Sequence, residues 1–502
     1  MLLFVYAALS KLLVFDEFKI QIGQSDMLTP FAGIIAWVIP YLEFLIALFL
    51  LIPRFRLLGM YAAFNLMVMF TAYIFIILNF SNDIPCSCGG VIEKLGWTEH
   101  LILNIAFVIL AFIGIRIINR QKNDITRKFV SSHNTKKLYK SLFLYTIGSI
   151  GFIVILFAFT KKGTQRDTSF KRAFLYNPPK KIHDLDLEYN GYHIAGVDEK
   201  QIYLSNPRSP LYVTVVDTAL QNKQNIHLTM DLDSLPFRSS QLHVIPPYFF
   251  LTDGTIPFIL RGNIKDWKAY SMLEEPLYFI NAQAMDSVTL AVRTMSNKTN
   301  EFALGTIRLT DSAKMTLSHK LLQKQVDGVF DVDGILQYNQ ERELLIYTYR
   351  YRNQFVVADD SLQLQLRGNT IDTISQAQIQ VGTIASKNQQ KMAAPALTVN
   401  QNSATDGNYL FVNSKLLGKA EPIEIWESSS VIDVYNLENN YYEFSFYVED
   451  IGKNKLKAFH VLHDKFIGLI GNHMVTYQLA NHFKKLQPAA ITAQNKKIID
   501  SR

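Results

Sequence analysis

The chain has 502 residues, a formal charge of +7, 49% hydrophobic residues and only two cysteines. Residues 1–160 hold 13 Lys and Arg against 8 Asp and Glu, and the rest of the chain holds 37 against 35. The excess therefore sits between apolar segments, as loop charge does in a membrane protein, and gives no support to nucleic-acid binding. Two cysteines exclude a fold stapled by many disulfides.

Five apolar runs come first, at residues 1–15, 31–52, 57–80, 101–118 and 141–160. Most reach the ~20 residues that cross a bilayer as a helix. The first is short and carries Lys11. It lacks the basic start and small-residue cleavage site of a signal peptide, so it reads as a first helix with a trimmed start. Arg54 and Arg56 follow the second run. Arg116, Arg120, Lys122, Arg127, Lys128, Lys136, Lys137 and Lys140 flank the gap between the fourth and fifth. The positive-inside rule puts both loops in the cytoplasm. The N-terminus is then cytoplasmic, while the 82–97 loop and everything after Thr160 lie outside. Lys161, Lys162, Arg166, Lys171 and Arg172 oppose this orientation but are fewer.

Polar groups inside apolar spans are functional candidates. Glu43 lies mid-span and Lys11 toward the outer end of the first helix. Pairing would let both charges survive in lipid, either as a lock between helices or as a proton or ligand site. Asn65, Asn79 and Asn104 are expected to make interhelical hydrogen bonds.

The only cysteines, Cys86 and Cys88, sit in the outer loop after Pro85 and before Gly89-Gly90. Trp97 suits the membrane interface, Thr98 is a candidate N-cap, and Glu99 favours the positive end of the following helix. His100 and Asn104 share a face. Residues i and i+2 of an extended chain lie roughly 7 Å apart, so a Cys86–Cys88 disulfide needs a bent backbone and would be strained and labile. Three uses remain open: thiol–disulfide exchange, with Lys94 or His100 favouring the thiolate; a static disulfide; or capture of Cu(I) or Zn(II) by two thiolates with His100.

From about residue 165 the pattern changes to short strand-like runs separated by Asp, Asn, Gly and Pro turns. Residues 192–204, 248–258 and 326–336 each read as two strands about a tight turn. Units recur roughly every 40–55 residues, which points to a β-propeller of six or seven blades, with an irregular β-sandwich pair as the alternative. The histidines are scattered; His460 and His463 lie close in sequence but lack a third matched ligand. The aspartates of 326–334 read as turn formers rather than a calcium loop. No metal site is assigned.

The stretches Tyr6 to Leu13, Phe18 to Gly23, Pro40 to Glu43 and Pro53 to Gly59, with Pro85-Cys-Ser-Cys-Gly-Gly-Val91 and Trp97-Thr-Glu-His100, resemble the methylamine utilisation protein MauE family. That family is part of the DoxX-like membrane group. The resemblance spans about residues 1–120 and is most specific at the cysteine loop. It implies assistance to disulfide formation in exported proteins, with a redox role for Cys86 and Cys88 only. The short first helix, the fifth span and the added exported domain depart from the family.

The expected organisation is a MauE/DoxX-like transmembrane domain (1–120), a basic cytoplasmic loop (121–140) and a fifth transmembrane helix (141–160). An extracytoplasmic β-propeller-like domain (165–485) and a polar tail (486–502) follow. The expected function is a thiol–disulfide relay in a bacterial inner membrane. Cys86 and Cys88 would be its redox pair, Glu99 and His100 would support it, and Lys11 and Glu43 would shape the pocket. A quinone is a conceivable acceptor, and a periplasmic thioredoxin-like protein or exported client the partner. The alternative is a non-enzymatic, membrane-anchored binding or assembly protein acting through its β domain.

Overall fold

In the computed structural model the described residues are 1–80, 96–126, 134–160, 169–231, 235–310 and 313–479. They form two compact units. One comprises residues 1–164 together with Ile379–Ala396, the other 165–378 and 397–502.

The first unit is helical: α1 (Leu2–Leu13), α2 (Phe15–Gly23), α3 (Ala32–Leu51), α4 (Arg56–Phe80), α5 (Trp97–Thr126) and α6 (Asn134–Thr160). Among the described residues, four segments are long and apolar enough to cross a membrane: Thr29–Leu51, Arg56–Phe80, Trp97–Asn119 and Tyr139–Phe159. The α1 helix has 12 residues, which is about 18 Å of rise against a hydrocarbon core of about 30 Å. The four longer apolar runs thus appear as helices of spanning length, and the first run, expected to be short, as a short apolar helix. Phe4 of α1 packs with Ile46, Ala47, Ala63, Leu66 and Met67, while Phe64, Val68, Ala111, Ile115 and Leu142 join α4, α5 and α6. Large apolar side chains on the outer faces, such as Ile102, Ile109 and Phe143, are exposed. A water-soluble bundle would bury them, whereas lipid solvates them. Helix continues through Thr126 and resumes at Asn134, so much of the 121–140 stretch expected as loop is helical. The N-cap expected at Thr98 moves as well: α5 starts at Trp97, which puts Thr98 inside the first turn.

The second unit is an all-β propeller of six blades. Five blades, at residues 193–227, 241–271, 281–318, 334–369 and 400–449, are consecutive four-stranded antiparallel meanders. The second carries Thr229–Met230 as an added parallel edge strand. The sixth takes three strands from Leu456–Leu462, Lys465–Ile470 and His473–Gln478, and its outermost strand from Lys180–Asp186. The start of the β region therefore pairs with its end, Asp184 opposite Val475, and closes the ring. Innermost strands of successive blades pack on one another around the whole circle.

Alternation explains these strands. Tyr203, Val213, Val215, Phe249, Leu251 and Leu260 point into the seam between blades one and two, and Phe411, Ile432, Phe446, Phe459 and Phe466 fill the seam between five and six. A strand in the centre of a blade is covered on both faces: Tyr409–Ser414 is buried at every position, and its run from Tyr409 to Val412 is apolar on both faces. Residues 326–336 differ from expectation. Only Gly334–Asn339 is strand; before it the carboxylates of Asp327 and Asp331 accept backbone N–H groups and close a turn. Asp333 binds Arg293 and Arg350.

Candidate functional site

Lys11 and Glu43 meet between α1 and α3. The ammonium donates to both carboxylate oxygens, at 2.7 and 3.0 Å, and also to the Ala7 carbonyl at 3.4 Å. The Glu43 side chain is 2% exposed. The Phe18 ring of α2 lies 5.8 Å from the Lys11 nitrogen, so the cation has a carboxylate on one side and an aromatic face on another. Lys11 is also near enough to His100 to act on it electrostatically.

His100 occupies the first turn of α5, its N–H bonded to the Gly96 carbonyl. Its Nδ1 is buried and makes no hydrogen bond among the described residues. The Trp97 ring stands 6.4 Å away. The Glu99 carboxylate folds back over Gly96, where a Cβ would overlap it. A carboxylate there faces the free N–H groups of the helix start. Asn104, one turn on from His100, is buried. Cys86 and Cys88 lie outside the described residues, as does Lys94. The structure thus pairs Lys11 with Glu43 between α1 and α3 and sets Trp97 beside His100 in the first turn of α5, the helix that follows the cysteine segment. Of the asparagines, Asn65 accepts an interhelical bond from Ser149 of α6 at 3.3 Å, whereas Asn79 donates back to Phe75 of its own helix.

Two constellations escaped the sequence reading. Glu17 of α2 is buried and bonded by Lys387 at 2.9 Å and Lys391 at 3.2 Å. Those lysines stand on a hairpin that belongs to the helical unit although it interrupts the propeller sequence. The bond from Lys387 outweighs burial and, with Lys391, holds Glu17 below the ordinary carboxylate range. In the propeller, Glu341, Asp406 and His463 bring one ligand atom each within 4.8 Å of the others. They sit where the innermost strand of blades four, five and six turns into the second strand. Burial, then the nearby Glu341, push Asp406 up to about 6. Sequence separation hides both sets. His460, grouped with His463 by sequence, instead stands half-buried on the strand Leu456–Leu462, and burial pushes it down to about 4.

Comparison with known proteins adds one decisive finding. Residues 1–117 match the family model of methylamine utilisation protein MauE. The MauE match covers α1 to most of α5, the cysteine segment included, and makes this a MauE-like membrane module; it does not reach the propeller. No curated protein matches the chain. Solved structures similar to it include a member of the DUF4221 family from Bacteroides vulgatus, at 13% identity and a TM-score of 0.37, covering 63% of this chain and 98% of that one. YCF48 from Cyanidioschyzon merolae is similar at 11% identity and a TM-score of 0.36, covering 60% and 99%. An inactive virginiamycin B lyase from Staphylococcus aureus with quinupristin is similar at 12% identity and a TM-score of 0.34, covering 62% and 100%.

Proposed function

We propose that the chain is an integral membrane thiol–disulfide exchange protein whose working pair is Cys86 and Cys88. The observation that carries this reading is the MauE match over residues 1–117, the stretch that holds both cysteines. The Nδ1 of His100, buried and without a hydrogen bond among the described residues, stands in the turn just after that segment and supports it, because an imidazole there can take a thiol proton. Closing the disulfide releases two electrons and two protons, and a lipid-soluble quinone going to quinol is the acceptor in this reading. Attack by a thiolate of an exported client or a thioredoxin-like partner then passes the disulfide on and returns the pair to dithiol. The propeller recruits that client, and the link to methylamine utilisation enters from the family alone. The basic residues flanking α5 and α6 support a periplasmic cysteine segment and propeller.

The test is thiol trapping in intact cells with a membrane-impermeant maleimide, before and after reduction. The expected result is labelling of Cys86 and Cys88 only after reduction, with the reduced fraction rising when the quinone pool is depleted. A pair that never changes state, with Cys86→Ser/Cys88→Ser leaving exported disulfides intact, sinks the relay. Labelling only after the inner membrane is opened reverses the sidedness.

A further inference from the structure

Blade four ends at Asn369 and blade five begins at Asn400, and the chain between them builds a hairpin that no propeller needs. Its strands, Val381–Ile384 and Gln389–Met392, pair antiparallel. Towards the propeller the ladder continues through Ala393 N–H to the Gln380 carbonyl and Leu397 N–H to Gln378. Its root is fixed in the propeller unit, where Ile371, Ile374 and Leu397 pack with Phe170, Val399 and Leu416. Gln325 bonds the chain at Ser375 and Ala377.

The far part of the hairpin meets α2. Lys387 and Lys391 both bind Glu17, and Gln24 donates to the Met392 carbonyl at 2.8 Å. The Ala393 carbonyl lies where a Cβ on Gly23 would be, and Ile20 lies where one on Gly382 would be. Gly23 therefore lets backbone approach backbone, while Gly382 on the other side of the contact leaves room for the Ile20 side chain. Ion pairs, a side-chain to main-chain bond and two close approaches all converge on about two turns of chain, Glu17 to Gln24. A casual surface contact would leave Glu17 solvated, yet it is 6% exposed.

We propose that Ile379–Ala396 is a docking arm: a propeller-borne hairpin that binds the Glu17–Gln24 face of α2 and gives the propeller a second, non-covalent attachment to the MauE-like module. This attachment is additional to the covalent one through α6. It does not depend on the thiol-exchange reading. The arm also bears on a helix whose next residue, Phe18, faces Lys11.

The experiment uses the full chain in membranes, with a specific protease site placed between Gly163 and Thr164. Cutting there removes the covalent link and leaves only the arm. With Glu17 intact, the propeller fragment is expected to remain in the membrane fraction at 0.15 M salt. Glu17→Lys should release most of it, and Glu17→Lys combined with Lys387→Glu and Lys391→Glu should retain it again. Glu17→Asp, which keeps the charge, should retain it as well and controls for loss of folding. Release from the unmutated protein overturns the proposal, as does retention in every variant.

Discussion

Lys11, part-buried, and Arg172, with its side chain fully buried, are both cations drawn away from water, and the two units satisfy them in different ways. Lys11 has one carboxylate, one helix carbonyl and an aromatic ring. Arg172, in the strap that leads into the propeller, is fully buried and uses its whole fork. Its Nε and Nη2 grip Asp433, Nη1 grips Glu421 and the Leu416 carbonyl, and Nη2 also reaches Ser414. Burial alone would push the guanidinium down, but Asp433 and then Glu421 outweigh it and hold it above its usual value. A planar fork suits a site that must be saturated, whereas a point charge on a flexible stem suits a pair that has to remain adjustable. The difference separates a structural clamp from a candidate working pair. It also shows that Arg172, which opposed the orientation read from loop charge, is held inside the propeller and is no loop charge.

Breaking the clamp should produce the largest effect. Arg172→Ala leaves Asp433 and Glu421 facing each other without a counter-charge, and a buried network stripped of one partner typically loses about 3–5 kcal/mol. The expected outcome is a lower unfolding midpoint for the propeller, read by near-ultraviolet circular dichroism during denaturant titration. Arg172→Lys should recover only part of that loss, because an ammonium cannot bind two carboxylates in the same plane. Full stability in Arg172→Ala would remove the distinction drawn above.

The bundle pair comes next. Lys11→Met strands Glu43, and Glu43→Leu strands Lys11, each expected to cost about 3 kcal/mol. The double variant Lys11→Met/Glu43→Leu replaces two charges with apolar groups of similar length and should cost less than either single change. Detergent titration of helicity measures the cycle. If the double variant is stable but thiol trapping of Cys86 and Cys88 changes, the pair serves the site; if both are unchanged, it is only a lock between α1 and α3.

The two regions were unequally legible in the sequence. Propeller strands such as Gln241–Ile245 showed their alternation directly, because each blade has faces that must be apolar. The ring closure by Lys180–Asp186 was not legible, since its exposed, charged positions carry no pattern and its partner lies almost 300 residues away. Lys11 and Glu43 stood out because a charge inside an apolar run demands a partner. Lys387 and Lys391 did not, because lysines in a polar Gln-rich stretch look like ordinary surface, and Glu17 lies 370 residues from Lys387. The two charges of a membrane span thus announced each other, while those of the docking arm could be matched only in three dimensions.

Buried histidines sharpen the comparison from the propeller side, with the smallest effect. His243 and His460 sit on innermost strands, and burial pushes both down to about 4. The Nε2 of His243 makes no hydrogen bond among the described residues, and no carboxylate offsets its burial. Both residues keep some accessible surface, which lets water moderate the shift. The sign follows from the depressed values. The neutral ring is favoured in the folded state, so its contribution is complete above the ordinary value of 6.5 and is lost as the pH falls towards 4. Each histidine should therefore cost the propeller about 1–2 kcal/mol between those limits. Asp406, raised to about 6, works in the opposite direction, because its protonated form is favoured in the folded state. Comparing His243→Gln/His460→Gln with the unmutated chain isolates the histidine term. The double variant should lose less stability than the unmutated chain on going from pH 7 to pH 4.5. Parallel curves would mean that both rings already titrate freely inside the ring of blades, with water in the centre solvating their charged form.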